Sequence, residues 1–262
     1  MDIARGIAKY EDRGFTRERA EINVLMEHAA FSIFKDFPEA FVLFGGASMV
    51  LYHDSVRHSA DLDLLHRAVP SPSPEQIVLS LQRDLSPMAN IMGLGDLRFE
   101  ILGANGQDGK ISVTAGTGQR LFRVDLTSFG SPIESEIQDH PIEEEAGLSA
   151  VIRSASKELL LLQKAEAFLL RRVVKARDAY DIHLLNQVGA GLSTILQAHL
   201  QDTVLANELD AETISDRIRR VDGNLCRLEL QPILPPEVYS AFEAAAFEPL
   251  RQALRGLYKE WL

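Results

Sequence analysis

A single cysteine, Cys226, stands in a chain of 262 residues. That excludes an internal disulfide framework and a multi-cysteine zinc site, and it suits a reducing, cytoplasmic setting. An ordinary thiol is a simpler role for Cys226 than a nucleophile. Long apolar runs are also missing, since no segment reaches the ~18 apolar residues of a membrane span. The opening stretch, MDIARGIAKYEDRGFTRERAE, carries charges throughout and reads neither as a signal peptide nor as an anchor. Positive charge is scarce, with 27 Lys and Arg against 38 Asp and Glu and a formal net charge of -11. This balance opposes a general affinity for nucleic acid, so any such contact must be local. The acidic run Glu143-Glu144-Glu145 reads as a solvated loop, or else as a surface for a basic partner. Apolar residues are plentiful at 46%, enough for one large core or two modest ones.

One stretch concentrates the chemistry: Phe41 to Leu65, FVLFGGASMVLYHDSVRHSADLDLL. The run Phe41 to Phe44 is long enough for a buried strand, Gly45-Gly46 breaks it, and Ala47 to Tyr52 restarts as a short helix. A second strand follows from Asp61 to Leu65. Its alternation sets Leu62 and Leu64 on one face and Asp61 and Asp63 on the other. Paired carboxylates are the oxygen ligands that hard divalent cations prefer, with room left for phosphates, and a close metal pair suits phosphoryl chemistry. Gly45 and Gly46 let backbone approach a phosphate, while the helix that follows offers free N–H groups. An Asp-x-Asp at a solvated strand end is also a common feature without chemistry, and the order of the elements is what favours the site.

Around this stretch the sequence is readable in order. Apolar residues from Thr16 to Lys35 (Ile22, Leu25, Met26, Ala29, Ile33, Phe34) predict a helix behind the first strand, and Pro38 separates the two. Pro70 to Pro74 reads as a loop and Glu75 to Leu85 as a helix. Leu97 to Leu102, Ile111 to Thr114 and Leu121 to Leu126 have strand character, divided by glycine-rich turns. In the third of these, Phe122, Val124 and Leu126 share a face and leave Asp125 on the other. A surface Asp on an edge strand gives the same pattern. Ser131 to Gly147 reads as an acidic connector, and Leu148 to Arg153 as a last strand. His53, His58 and His66 flank the first motif, but they share no helix or strand face and no Cys or paired-His motif joins them, so zinc is set aside.

Beyond Ser156 the pattern is helical. Lys157 to Arg172 predicts a strong helix, with Ser156 as its cap, that places Lys164, Phe168 and Arg171 on one side. In the next helix Asp178 and Asp181 share a face beside Arg177; alone, that arrangement is a salt-bridged helix. From Asn186 onward helical runs alternate with turns. Arg217, Arg219, Arg220 and Arg227 read as a solvated face or an RNA path. Phe242, Phe247, Leu250, Leu254 and Leu257 read as core or a partner surface.

The order Gly45-Gly46-Ala47, short helix, Arg57-His58-Ser59-Ala60-Asp61-Leu62-Asp63 resembles the AbiEii/AbiGii-type nucleotidyltransferases of bacterial toxin-antitoxin and phage-defence systems. The long gap between Gly46 and Asp61 favours this branch over the smallest nucleotidyltransferases. Lys164-Ala165-Glu166-Ala167 is similar to the family's helix-lysine motif, which holds nucleotide phosphates. That match is partial, because Leu160 stands where many relatives carry Arg or Gln, and Gln163 is the alternative polar contact. Lys175-Ala176-Arg177-Asp178-Ala179-Tyr180-Asp181-Ile182 resembles the basic-x-basic-Asp-x-x-Asp motif.

The resemblance covers about Phe41 to Leu185 and implies an α/β (α+β) fold. Residues 1–155 would form a nucleotidyltransferase-like mixed sheet with flanking helices, and residues 156–262 a helical C-terminal domain closing the cleft. It implies Mg2+ or Mn2+ on Asp61, Asp63 and Asp125, with a nucleoside triphosphate as substrate and pyrophosphate released. Gly45, Gly46, Ser48, Arg57, Ser59, Lys164 and Asp181 are its nucleotide-binding positions, and Lys164 and Asp178 join the carboxylates as catalytic ones. It further implies tRNA as an acceptor and a cognate antitoxin encoded nearby. Two other readings stay open: a protein or aminoglycoside-like acceptor, and a non-catalytic binding module or antitoxin.

Overall fold

Apolar spacing after Thr16 gives a 20-residue helix, and alternating strands supply the sheet on which it lies. The computed structural model describes residues 2–67, 71–128, 134–143 and 149–262. The chain divides into two compact units, Met1–Ala155 and Ser156–Leu262. The first carries α1 (Ile3–Glu11), α2 (Arg17–Asp36), β1 (Phe41–Phe44), α3 (Gly45–Tyr52), β2 (Asp61–His66), α4 (Pro74–Ile91), β3 (Arg98–Asn105), β4 (Asp108–Thr114), β5 (Arg120–Ser128), β6 (Ile137–Glu143) and β7 (Ser149–Ala155).

The strands form one mixed seven-stranded sheet in the order β3-β4-β5-β2-β1-β7-β6. β2 runs parallel to β5 and β1 parallel to β7, while the other neighbours are antiparallel. Alternation sorts the side chains by face. Leu43, Leu62, Leu64, Ile111, Val113, Phe122, Val124 and Ile152 enter one core with Ile7, Leu25, Phe34, Leu81 and Leu85 of α1, α2 and α4. Leu62 and Leu64 are fully buried, a burial that contributes about 1.5–3 kcal/mol each. The intervening residues of β2 and β5 are thereby directed to the opposite face.

Several elements depart from the sequence reading. α1 was not anticipated; Asp2 caps it by accepting from the Ala4 and Arg5 amides. α3 begins at Gly45 rather than after the glycines. α4 runs through Pro87 to Ile91, six residues past the expected end, because Leu85, Met88 and Ala89 keep its buried face continuous. Part of the expected acidic connector is β6, an edge strand that contains Pro141. A proline is tolerated there because one side of an edge strand has no neighbour needing its N–H. Pro70, Glu144 and Glu145, and the rest of the connector at 131–133 and 146–147, lie outside the described residues, as does Leu148.

The second unit is helical: α5 (Lys157–Leu170), α6 (Ala176–Gln187), α7 (Thr194–Ala206), α8 (Ala211–Arg219), α9 (Gly223–Glu229), α10 (Pro236–Ala244) and α11 (Glu248–Leu257). Ser156 caps α5 by accepting from the Leu159 amide at 3.1 Å. At the other end Arg217 donates to the carbonyls of Phe168 and Arg171, each at 2.7 Å, which satisfies the last turn of α5. Arg217 is thus structural, and Arg219 and Arg220 both pair with Asp216. Tyr258 is fully buried and donates to the Ala165 carbonyl at 2.8 Å. Phe247, Leu250 and Leu254 are core residues, whereas Phe242 and Leu257 are half-buried. Among the described residues no helix is long and apolar enough to cross a membrane.

Candidate active site

The parallel register of β2 and β5 places Asp63 directly beside Asp125, and Asp61 beside Arg123. Neighbouring strands lie about 4.8 Å apart, so aligned side chains on one face are immediate neighbours. Asp61, Asp63 and Asp125 therefore share one face of adjacent strands. Cations hold two of them. Arg123 contacts Asp61 Oδ1 with Nη2 at 2.7 Å and Nε at 2.9 Å, and its Nε lies 4.0 Å from Asp125 Oδ1. Lys110, the β4 partner of Asp125 in register, donates to Asp125 Oδ2 at 3.0 Å. The Arg123 guanidinium is raised further above its ordinary pKa, chiefly by its hydrogen bond to Asp61. The other oxygen of Asp125, Oδ1, is buried without a hydrogen-bond partner.

These groups fit a hard divalent cation in donor type, and the orphaned Asp125 oxygen is the kind of atom that accepts one. Among the described residues no three such ligands already converge at metal-binding distance. Asp61 and Asp125 are turned instead to Arg123 and Lys110, two residues absent from the sequence reading. Arg123 was legible, since it alternates with Asp125 on the same face. Lys110 was not, because its pairing depends on the register of β4 against β5.

The two glycines have a steric role within the chain itself. Gly45 takes a φ of +67°, where L side chains are strained, and a Cβ there would run into the Asp63 carboxylate, with Cγ only 2.8 Å away. A Cβ on Gly46 would lie 2.5 Å from Ser59 Oγ and 2.9 Å from Arg57 Nη2. Asp63, Ser59 and Arg57 thus fill the space the glycines leave, packing the sequence motif against itself. Arg57 and Ser59 are buried, and Ser59 Oγ reaches the Asp61 carbonyl at 3.5 Å. Ser48, in α3, is fully buried and its hydroxyl has no hydrogen-bond partner. Arg13 pins the far end of α3, donating to the carbonyls of Val50 and Ser55 at 2.9 Å each. Burial pushes the His58 imidazole down to about 4 and lowers His66 as well.

The second unit gathers its own charged cluster. Lys164 is buried with its ammonium 3.3 Å from Asp181 Oδ2, and Asp181 is fully buried. Asp178 is also buried; desolvation raises its pKa while Lys164 and Arg171 oppose the rise. Nε of Arg171 stands 2.8 Å from Asp178 Oδ2 but off the hydrogen-bond line, so this is an ion pair without an aligned bond. Leu160 is wholly core, and Gln163 Oε1 is buried without a hydrogen-bond partner. Of the basic residues at the α5–α6 junction, Lys175 pairs with Glu229 at 2.8 Å. Arg172 and Arg177 are exposed and form no ion pair among the described residues.

Two solved structures from Helicobacter pylori share this fold. A crystal structure described as a candidate nucleotidyltransferase from Helicobacter pylori is 18% identical, with a TM-score of 0.56 over 94% of this chain and 97% of that one. JHP933, also from Helicobacter pylori, is 15% identical, with a TM-score of 0.54 over 90% of each chain. MenT4, a nucleotidyltransferase toxin from Mycobacterium tuberculosis, aligns at 16% identity and a TM-score of 0.46, over 81% of this chain and 75% of that one. No curated protein matches the sequence. The family model described as nucleotidyl transferase AbiEii toxin, type IV toxin-antitoxin system, matches residues 29–255. The chain belongs to the AbiEii family of nucleotidyltransferase toxins.

Proposed function

We propose that this protein transfers a nucleoside monophosphate from a nucleoside triphosphate to a hydroxyl of tRNA, with Mg2+ or Mn2+ held by Asp61, Asp63 and Asp125. The observation that carries the reading is the β2/β5 register, which aligns Asp63 with Asp125, whose buried Oδ1 accepts no hydrogen bond. A bound divalent cation would supply Lewis acidity at the phosphate oxygens and make the acceptor hydroxyl more acidic.

The remaining work falls to the chain's own groups. The acceptor oxygen forms a bond to the α-phosphorus as the bond to the β-phosphate oxygen breaks, and pyrophosphate leaves with that electron pair. Asp125 takes the hydroxyl proton. The first amides of α3 and the Ser48 hydroxyl offer hydrogen bonds to phosphate oxygens, with Arg57 and Ser59 packed against Gly46 to fix that turn. Within the second unit Asp181 holds the Lys164 ammonium at 3.3 Å, and Lys164, Asp178 and Asp181 are the nucleotide-serving positions in this reading. Positioning and electrostatic stabilisation suffice for such a step, and no covalent nucleophile is required. Arg172 and Arg177 are the cations of the α5–α6 junction available to RNA phosphates. The setting is cytoplasmic, with a cognate antitoxin limiting the activity.

Incubation with each α-32P-labelled triphosphate, Mg2+ and total RNA tests this. Label should settle on RNA of tRNA size and disappear on ribonuclease treatment. Label on protein or on a small molecule would replace tRNA as the acceptor, and label on nothing would remove the proposed transfer.

A further inference from the structure

Lys110 and Arg123 occupy the carboxylates that the proposed reaction needs for its metal. Both come from strands adjacent to those carboxylates in the sheet, and each is placed by backbone register rather than by a loop. Lys110 stands opposite Asp125 across β4/β5, and Arg123 lies beside Asp61 across β2/β5. Their contacts are close: 3.0 Å for Lys110 to Asp125, and 2.7 and 2.9 Å for Arg123 to Asp61. The Arg123 side chain is 29% exposed and that of Asp125 15%, so screening by water is incomplete.

A cation already paired with a carboxylate opposes the entry of another. Incoming divalent metal must either displace the ammonium and guanidinium or bind in their repulsive field. Without them, three carboxylates on neighbouring strands would repel one another, so the same two cations keep the acidic face intact before loading. We propose that Lys110 and Arg123 are built-in counter-cations that compete with the divalent metal and set the concentration at which the site loads. The inference rests on the metal reading above and concerns residues that reading does not use.

Mn2+ binding, followed by electron paramagnetic resonance on the full-length protein without nucleotide, tests it directly. Lys110→Met and Arg123→Met should each bind Mn2+ more tightly than the native protein. The gain should be roughly tenfold for Arg123→Met and smaller for the more exposed Lys110. Lys110→Arg and Arg123→Lys, which keep the charge, should stay within about twofold of native affinity. Thermal unfolding of each variant identifies any that fail to fold, and Lys110→Gln and Arg123→Gln, which also remove the charge, then carry the comparison. Asp63→Asn separates the two ideas. If it binds Mn2+ as the native protein does, or if no form binds Mn2+, the metal reading itself fails. If Asp63→Asn abolishes binding while Lys110→Met and Arg123→Met leave it unchanged, only the counter-cation role is overturned.

Discussion

Replacing Gly45 with alanine tests how the motif is packed. Gly45 sits at φ +67°, and the added Cβ would meet the Asp63 carboxylate. Two penalties therefore combine. A non-glycine residue in the left-handed region costs about 1–2 kcal/mol. Forcing an extra carbon into occupied space costs typically about 1–3 kcal/mol, although here the obstructing atoms end a movable side chain, which favours the lower part of that range. Gly45→Ala should lose about 2–4 kcal/mol in urea unfolding monitored by circular dichroism. The same substitution in an Asp63→Ala background should lose only the backbone part, about 1–2 kcal/mol, and the difference is the coupling between the residues. Equal losses in both backgrounds would show that Asp63 does not press on Gly45, and the steric account of the first glycine would be wrong.

Three further outcomes follow from buried groups. Lys164→Ala removes the ammonium that lies 3.3 Å from the buried Asp181 carboxylate and should destabilise the protein in urea unfolding by up to about 3–5 kcal/mol, whereas Lys164→Met with Asp181→Leu should recover most of the loss; equal stability of the single and double variants would refute the pairing. His58 is held neutral by burial, at about 4 against an ordinary 6.5. The unfolded chain therefore takes up a proton that the folded chain refuses, and stability should fall as the pH drops from 6.5 toward 4. His58→Gln should flatten that slope in pH-dependent unfolding, and an unchanged slope would remove His58 as its source. Burial pushes the Cys226 thiol up to about 12, so it should ignore a thiol reagent at pH 8 until the second unit unfolds; rapid labelling of the native protein would contradict its burial.

Local pattern and remote pairing were not equally legible. Phe41 to Phe44 and the Asp61–Leu64 alternation declared β1 and β2, because a fully apolar tetrad and a period of two have few other solutions. Apolar spacing from Thr16 to Lys35 declared α2 by the same local logic, and the structure adds Thr16 as its cap. β6 was hidden because its acidic residues and Pro141 argue for a loop, and only its place at the sheet edge makes a strand acceptable. At the candidate site, alternation set Asp61, Asp63 and Asp125 opposite the apolar faces of their strands, and the family resemblance singled them out. That Asp63 lies beside Asp125, and that Lys110 pairs with Asp125, depends on strand register. Register is set by long-range packing and is not written in any single segment. The glycines show the same limit: Gly45-Gly46 marked a turn, but which side chains demand it became visible only once β2 lay against α3.

The central claim is that Asp63 and Asp125 act together on a bound nucleotide, and single-turnover transfer of label from an α-32P triphosphate measures it most directly. Asp63→Asn and Asp125→Asn each preserve side-chain shape and stand on the face away from the main core of the first unit, so both should fold with near-native stability. Each should lower the transfer rate by at least about 100-fold, as expected when a group that stabilises charge in the transition state is removed. The double variant should be little slower than either single one, because residues that act as a unit are not additive. Transfer at near-native rate by either folded variant would contradict the account.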